Sequence, residues 1–194
     1  MPAMELAATI LENKFVRLEP FEERHRQGLL AAAGAPSIWT HLPFPVEKLG
    51  YGAWFDWMLA EREAGRWIPH AVMTPEGRIV GQTCYLNLRP ADDGVEIGAT
   101  WYAPEAQGGM VNPACKYLLL KRAFACGAVR VELKTDALNA RSRAAILKLG
   151  AQFEGVHRKH MRRKDGALRD TAWYSILREE WPEVRARLEE RLGA

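Results

Sequence analysis

The chain has 194 residues, a formal net charge of +3 at pH 7, and 48% hydrophobic and 26% charged residues. This composition is close to that of an average soluble domain, which argues against a disordered chain, a collagen-like repeat and a coiled coil. The length predicts one domain over residues 1–194, built around a single hydrophobic core.

The sequence shows no membrane, export or metal-binding signal. No apolar run approaches the roughly 20 residues that a membrane helix needs, and Tyr117–Leu120 is followed at once by Lys121 and Arg122. Residues 1–14 lack a basic start followed by an apolar block, so we expect a cytoplasmic protein. Cys84, Cys115 and Cys126 lie in no metal-ligand spacing, and we expect three buried thiols and no metal.

The first half of the chain predicts one strand, two helices and a three-stranded antiparallel meander. The strand, Phe15–Glu19, ends at Pro20, which cannot donate to an interior ladder. Each helix ends at a glycine, and the two are Glu22–Ala33 and Val46–Ala64. Turn residues separate the strands of the meander, which are Ile68–Met73, Arg78–Leu88 and Val95–Tyr102.

The second half alternates helices and strands. Apolar residues three and four apart predict helices, and alternating apolar residues predict strands. The expected order is helix Asn112–Cys126, strand Val129–Thr135, helix Arg141–Leu149, a hairpin of Ala151–Arg163 and Leu168–Leu177, and helix Glu183–Leu192. This order indicates a mixed α/β fold.

A strand, a glycine-containing loop and a helix start follow one another over residues 96–112. Free amides at a helix N-terminus attract phosphates, and glycines let the backbone approach them closely. Gln107–Asn112 therefore predict a phosphate-binding loop, with a plain turn as the alternative. Neither a P-loop nor a G-x-G-x-x-G fingerprint is present, which argues against nucleotide hydrolysis and hydride transfer.

Four motifs carry a family resemblance: Glu96-Ile-Gly98, Gln107-Gly-Gly109, Asn139-Ala-Arg-Ser142 and the run Leu147–Gly155. Together, residues 95–155 resemble the GNAT acetyltransferase superfamily, in particular its RimJ/RimL-like branch. The resemblance implies a largely antiparallel central sheet flanked by helices. It also implies that acetyl passes from acetyl-CoA to a primary amine, on a protein N-terminus or a small molecule, by direct attack. Alternatives are another donor such as succinyl-CoA, or a coenzyme-binding or regulatory module with little transferase activity.

The resemblance also implies which residues bind the coenzyme. The backbone of Trp101, Tyr102 and Ala103 would hold one side of the pantetheine arm, and Asn139 and Ser142 the other. A helix N-cap is the alternative role for Asn139 and Ser142. The pyrophosphate would lie on Gln107, Gly108, Gly109, Met110, Val111 and Asn112.

This loop departs from the family pattern at two positions. Met110 stands where the family has glycine, and Asn112 where it has glycine or alanine. A left-handed backbone at Met110 would strain the loop by roughly 1–3 kcal/mol. Otherwise the loop follows a different path, with Gly108 and Gly109 supplying the flexibility.

Glu96 is the first candidate for the base that takes the proton of the amine. Strand alternation predicts that it shares a face with Gly98, Thr100 and Tyr102, and an exposed or salt-bridged glutamate is the alternative. His160 and Tyr174 are further candidates, because imidazole titrates near neutrality and a phenol can protonate a thiolate. A core aromatic is the alternative role for Tyr174.

Two other groups of residues bear on possible partners. Aromatic and large apolar residues around the second helix predict either core packing or a wall of the acceptor pocket; they are Trp39, Phe44, Trp54, Phe55, Trp57 and Met58. The basic stretch His157–Lys164 is a solvated strand face, a landing site for an acidic partner, or a set of charges near the coenzyme phosphates. Because no stacking aromatics interleave it, nucleic acid is not an expected partner. The sequence does not distinguish a homodimer from a monomer.

Overall fold

The computed structural model describes residues 4–193. Its helices are α1 (Arg26–Ala32), α2 (Val46–Glu63), α3 (Val111–Ala125), α4 (Ala140–Leu149) and α5 (Trp181–Leu192). Its strands are β1 (Leu11–Glu12), β2 (Arg17–Pro20), β3 (Ile68–Met73), β4 (Ile79–Arg89), β5 (Gly94–Tyr102), β6 (Arg130–Asp136), β7 (Gln152–Arg162) and β8 (Leu168–Leu177). These strands form one sheet in the order β1-β2-β3-β4-β5-β6-β8-β7.

The sheet is mixed, as the sequence predicted. The meander β3-β4-β5 and the hairpin β7-β8 are antiparallel. Among the described strands, β5 and β6 are the parallel pair, because α3 carries the chain back across one face of the sheet between them. The predicted largely antiparallel α/β architecture is therefore confirmed.

Hydrophobic clusters cover both faces of the sheet. Tyr85 packs into the cluster that includes α3 and α5, whereas its neighbour Leu86 packs into the cluster that includes α1 and α2. Adjacent strand residues point to opposite faces, so both faces of β4 are buried. Burial of this kind, at about 25 cal/mol per Å² of apolar surface, is the main force that holds helices on a sheet.

Several boundaries differ from the prediction for local reasons. A 3-10 turn at Glu23–His25 replaces the expected start of the first helix, and the two-residue β1 was not predicted. Gly50 kinks the second helix with a φ of +79°, a conformation that glycine adopts at little cost. The prediction of three buried thiols is wrong for Cys126, which is half-buried at the end of α3, whereas Cys84 and Cys115 are buried.

The basic stretch lies mostly on β7, which is an edge strand with largely exposed side chains. Its pairing with β8 shifts between His157 and Met161, where Lys159 has a φ of +50°. This bulge interrupts the simple alternation expected for the stretch. Most of its side chains are exposed, whereas Met161 is half-buried and Arg163 forms an ion pair with the buried Asp136.

Candidate functional site

A cleft opens where β5 and β6 diverge. The two strands pair only between Gly94–Glu96 and Arg130–Glu132, and the remainder of each strand separates from the other. A cavity of about 740 Å³ fills this gap and reaches α3, α4 and the segment between α1 and α2. No described strand pairs with the β6-facing edge of β5 beyond Glu96. Such an edge can form backbone hydrogen bonds with an extended ligand.

A bulge in β5 shapes the middle of the cleft. Ala99 has a φ of +46°, and the pairing with β4 skips one residue there. Its carbonyl oxygen accepts a hydrogen bond of 3.0 Å from Nε2 of the buried Gln82. Oε1 of Gln82 in turn accepts bonds of 3.0 Å from the Tyr51 hydroxyl and from Trp54 Nε1. A buried amide with three hydrogen bonds therefore holds the bulge in place.

The bulge corrects the predicted faces of β5. Thr100 and Tyr102 were expected on the face of Glu96. Instead Thr100 Oγ1 meets a lysine of α3, and Tyr102 packs in the cluster of Val95 and Ile97. Trp101 packs with the opposite cluster. One extra residue in a strand reverses the alternation beyond it.

Glu96 lies inside the cleft and is 1% exposed. Its Oε2 accepts hydrogen bonds from Lys134 Nζ at 2.8 Å and from Asn87 Nδ2 at 2.6 Å. Oε1 accepts no hydrogen bond from the residues that the structure describes. Burial outweighs these partners and raises the pKa of the carboxyl group above its ordinary value. Glu96 is thus both salt-bridged and oriented toward the cavity, with one oxygen unoccupied.

His160 and Tyr174 lie outside the residues that line the cavity. Tyr174 is fully buried, and its hydroxyl accepts a hydrogen bond from Arg143 Nε at 3.1 Å. His160 Nδ1 lies 3.2 Å from Thr171 Oγ1, and burial lowers the pKa of its imidazole. These positions give no support to proton transfer by either residue in the cleft.

The loop before α3 follows the second of the two predicted paths. Met110 has a φ of −84°, so the expectation of a strained left-handed methionine is wrong. Gly108 takes the left-handed conformation instead, with a φ of +79°. Gln107 braces the loop, because its Nε2 donates to the Tyr102 carbonyl at 2.7 Å and its Oε1 accepts from Arg141 Nη1 at 2.7 Å.

The first turns of α3 and α4 both border the cavity. No side chain caps the N-terminus of α3, so its first amides keep their capacity to bind an anion. At α4, Asn139 Oδ1 accepts a hydrogen bond of 3.0 Å from the Ser142 amide, which is the predicted N-cap. Both residues also line the cavity. The cap therefore does not exclude a contact with a ligand.

Most residues predicted to bind the coenzyme line the cavity. Those that do are Trp101, Tyr102, Gln107, Gly108, Gly109, Asn112, Asn139 and Ser142. Ala103, Met110 and Val111 are not among the lining residues. Six cationic residues that the sequence analysis did not single out also line it: Lys116, Lys134, Arg141, Lys148, Arg169 and Arg191.

Lys116 of α3 is a cavity residue that the sequence reasoning missed. It is 7% exposed, and its Nζ donates to Thr100 Oγ1 at 2.9 Å, with no carboxylate paired to it in residues 4–193. Burial lowers the pKa of its ammonium group to about 8. One signal was available: Lys116 follows Asn112 by one turn on the same helix face and interrupts an apolar helix face.

Comparison with known proteins identifies the family of the chain. Residues 16–152 match the acetyltransferase (GNAT) domain. The chain belongs to the GNAT acetyltransferase family. It is an N-acetyltransferase, and the resemblance seen in the four motifs is confirmed. No curated protein sequence matches the chain.

Solved structures of GNAT proteins share the whole fold. A T. thermophilus protein assigned as an acetyltransferase is 35% identical, with a TM-score of 0.86 over 97% of this chain and 100% of that one. A GCN5-related N-acetyltransferase from Brucella melitensis is 28% identical, with a TM-score of 0.89 over 97% and 87%. Mycobacterium smegmatis RimJ, solved with CoA-disulfide, is 24% identical, with a TM-score of 0.79 over 96% and 94%. At that identity RimJ shows similarity of fold alone.

The far wall of the GNAT cleft is aromatic. Phe44, Trp54 and Trp57, from the aromatic group predicted around the second helix, line the cavity together with Trp67. Trp39, Phe55 and Met58 of the same group lie in the core instead. Part of the group thus lines the cavity, and its role as a wall of the acceptor pocket stays a prediction.

The described residues contain neither a membrane-spanning helix nor a metal-ligand cluster. No helix in residues 4–193 is both long and apolar enough to cross a membrane. Within the same range, no cluster of three or more His, Cys, Asp or Glu residues could hold a metal ion.

Proposed function

We propose that this GNAT protein transfers the acetyl group of acetyl-CoA to a primary amine by direct attack of the amine on the thioester. The observation that carries this proposal is the cleft itself, where the unpaired edge of β5 runs from Glu96 toward the uncapped start of α3. An amide-containing arm suits the strand edge, and a pyrophosphate suits the helix start.

Charge along the cleft supports acetyl-CoA as the donor. The glycine loop at Gly108 and Gly109 lets phosphate oxygens approach the backbone amides. Arg141, Lys148 and Arg191 border the same cavity, and cations favour the negatively charged phosphates of the coenzyme. When bound, acetyl-CoA supplies the acyl group as an activated thioester.

Glu96 and Lys116 would divide the proton transfers between them. Glu96 Oε1 accepts the proton of the amine as its nitrogen bonds to the carbonyl carbon. Lys116 Nζ donates a proton to the sulfur as the carbon–sulfur bond breaks, the role first considered for Tyr174. The products are an N-acetylated amine and the free thiol. A buried carboxyl with a raised pKa and a buried ammonium with a lowered one suit a base and an acid near neutral pH.

The regulatory alternative rested on Met110 and Asn112 in the loop. Met110 has an ordinary helical backbone, so backbone strain at this position does not support that alternative. The choice between acetyl-CoA and a larger donor such as succinyl-CoA depends on binding, so the test includes both.

The test combines calorimetry with kinetics. We expect the wild-type protein to bind acetyl-CoA more tightly than succinyl-CoA and to acetylate at least one member of a panel of primary amines. Glu96→Gln should lower kcat by roughly 10²–10⁴-fold while the Kd for acetyl-CoA stays unchanged. Glu61→Gln is the matched control, because Glu61 is also a buried, ion-paired glutamate but lies on α2 and does not line the cavity. An unchanged kcat for Glu96→Gln across the pH range would remove Glu96 from the mechanism.

A further inference from the structure

A buried arginine lies where the segment between α1 and α2 borders the cleft, here called the acceptor end. Arg169 of β8 is 5% exposed and lines the cavity. Its Nε donates to Thr171 Oγ1 at 3.1 Å, and its Nη1 donates to the His41 carbonyl at 3.3 Å. Nη2 has no hydrogen-bond partner in the part of the chain that the structure describes. Arg169 thus carries a positive charge into the cavity with unused donor capacity.

The nearest carboxylates are already occupied. Asp136 accepts hydrogen bonds from Arg163 Nε and Nη2 at 2.8 and 2.9 Å. Glu96 Oε2 is held by Lys134 and Asn87. Neither carboxylate forms an ion pair with Arg169. Burial lowers the pKa of Arg169 from its ordinary value, although both carboxylates favour its charged form from a distance.

The position of Arg169 separates it from the predicted coenzyme site. It contacts the segment between α1 and α2 through His41. The loop at Gln107, by contrast, contacts the start of α4 through Arg141. A planar guanidinium at the acceptor end matches a carboxylate, which it can bind through two parallel hydrogen bonds.

The aromatic residues near Arg169 indicate which side chain the ligand carries. Phe44, Trp54, Trp57 and Trp67 line the same cavity near the segment that contains His41. Their rings are packed against one another, with the Trp57 and Trp67 centroids 4.8 Å apart. Large aromatic surfaces of this kind favour a bulky apolar side chain.

We propose that the acceptor is an amino carboxylic acid with a bulky apolar side chain, whose carboxylate binds Arg169, whose amine reaches Glu96 and whose side chain packs on the aromatic wall. This assignment rests on the proposed acetyl transfer to an amine. It narrows the acceptor from any primary amine to one that carries a carboxylate.

The experiment compares amino acids with their amides. L-Phenylalanine, L-tryptophan and L-leucine are each assayed beside the corresponding amide, in which only the carboxylate is neutralised. We expect the wild-type kcat/KM to be about 100-fold higher for the acids than for the amides, because each amide lacks one charge-assisted bidentate contact with Arg169. Arg169→Met should lower kcat/KM for the acids about 100-fold, mainly through KM, and leave the amides within about 3-fold. The kcat/KM of Arg169→Lys for the acids should lie between the values of the wild type and Arg169→Met, because lysine keeps the positive charge but lacks the planar pair of donors.

Controls separate binding from folding. Arg158→Met removes an exposed arginine of β7 that does not line the cavity and should behave as wild type. The Kd for acetyl-CoA and the thermal midpoint of Arg169→Met should stay near the wild-type values. If this variant does not fold, the comparison of acids with amides on the wild-type protein still decides the question.

Two results would overturn the proposal. One is equal wild-type activity on the acids and the amides, and the other is an equal loss on both in Arg169→Met. Titration of L-phenylalanine into the protein saturated with free coenzyme A tests the site without turnover. Loss of that binding in Arg169→Met supports the carboxylate site even if acetyl transfer fails, whereas no binding to wild type contradicts it. Failure to bind acetyl-CoA would contradict the proposed function separately.

Discussion

Replacement of Lys116 by methionine should make the protein more stable and less active at once. The ammonium is buried without a carboxylate partner, and burial lowers its pKa from 10.5 to about 8. At about 1.4 kcal/mol per pH unit, this difference corresponds to a cost of about 3 kcal/mol at pH 7. Loss of the hydrogen bond to Thr100 offsets about 1 kcal/mol of this gain in stability. We therefore expect Lys116→Met to be about 2 kcal/mol more stable, a gain of roughly 4–8 °C for a chain of this size.

The pH dependence distinguishes this cause from better packing. Between pH 8 and 10.5 the unfolded chain holds a proton on Lys116 that the folded protein has released, so the stability of the wild type rises with pH in this window. Lys116→Met lacks this rise, and its advantage should vanish near pH 10. Urea unfolding of both proteins at pH 7, 8, 9 and 10 measures the difference directly.

Activity supplies the second half of the test. If Lys116 donates the proton to the leaving sulfur, Lys116→Met should lower kcat by roughly 10²–10⁴-fold and change the Kd for acetyl-CoA much less. Lys121→Met, an exposed lysine of the same helix, is the matched control and should change neither property. A gain in stability with unchanged kcat would leave Lys116 without a catalytic role. A variant that is less stable than wild type at pH 7 would refute the electrostatic reasoning itself.

Four further substitutions test other parts of the structure. Asn139→Ala should lower the free energy of unfolding by about 1 kcal/mol because it removes the cap of α4. Ser142→Ala keeps the capped amide and should leave the free energy of unfolding unchanged. Both variants should bind acetyl-CoA more weakly in calorimetry. Burial lowers the pKa of His70 to about 4, so wild-type stability should fall by roughly 3 kcal/mol as the pH drops from 6.5 to 4. His70→Leu should flatten that slope in urea unfolding, and equal slopes would contradict it. Met110→Gly should not tighten acetyl-CoA binding, since Met110 already has a helical φ, and a gain in affinity would reinstate strain there.

Glu96 illustrates how far sequence reasoning reached into the site. Its residue type and its place on the central strand made it a candidate base, and the structure places it in the cleft. Its neighbours were predicted less well, because the bulge at Ala99 reverses the alternation that assigns faces to Thr100 and Tyr102. A bulge depends on the partner strand and on the Gln82 amide that holds it, and neither is visible in a single stretch of sequence.

The sequence by itself determined the order of strands and helices, the glycine loop before α3 and the cap of α4. Those features arise from residues close together in the chain, through hydrophobic periodicity, backbone freedom at glycine and a local hydrogen bond at Asn139. Tertiary structure alone decided which polar groups face the cleft. It placed Tyr174 in the core and brought Lys116 and Arg169 into the cavity. The physical reason is that burial of a charge depends on the partners that surround it, and those partners come from strands and helices far apart in the chain.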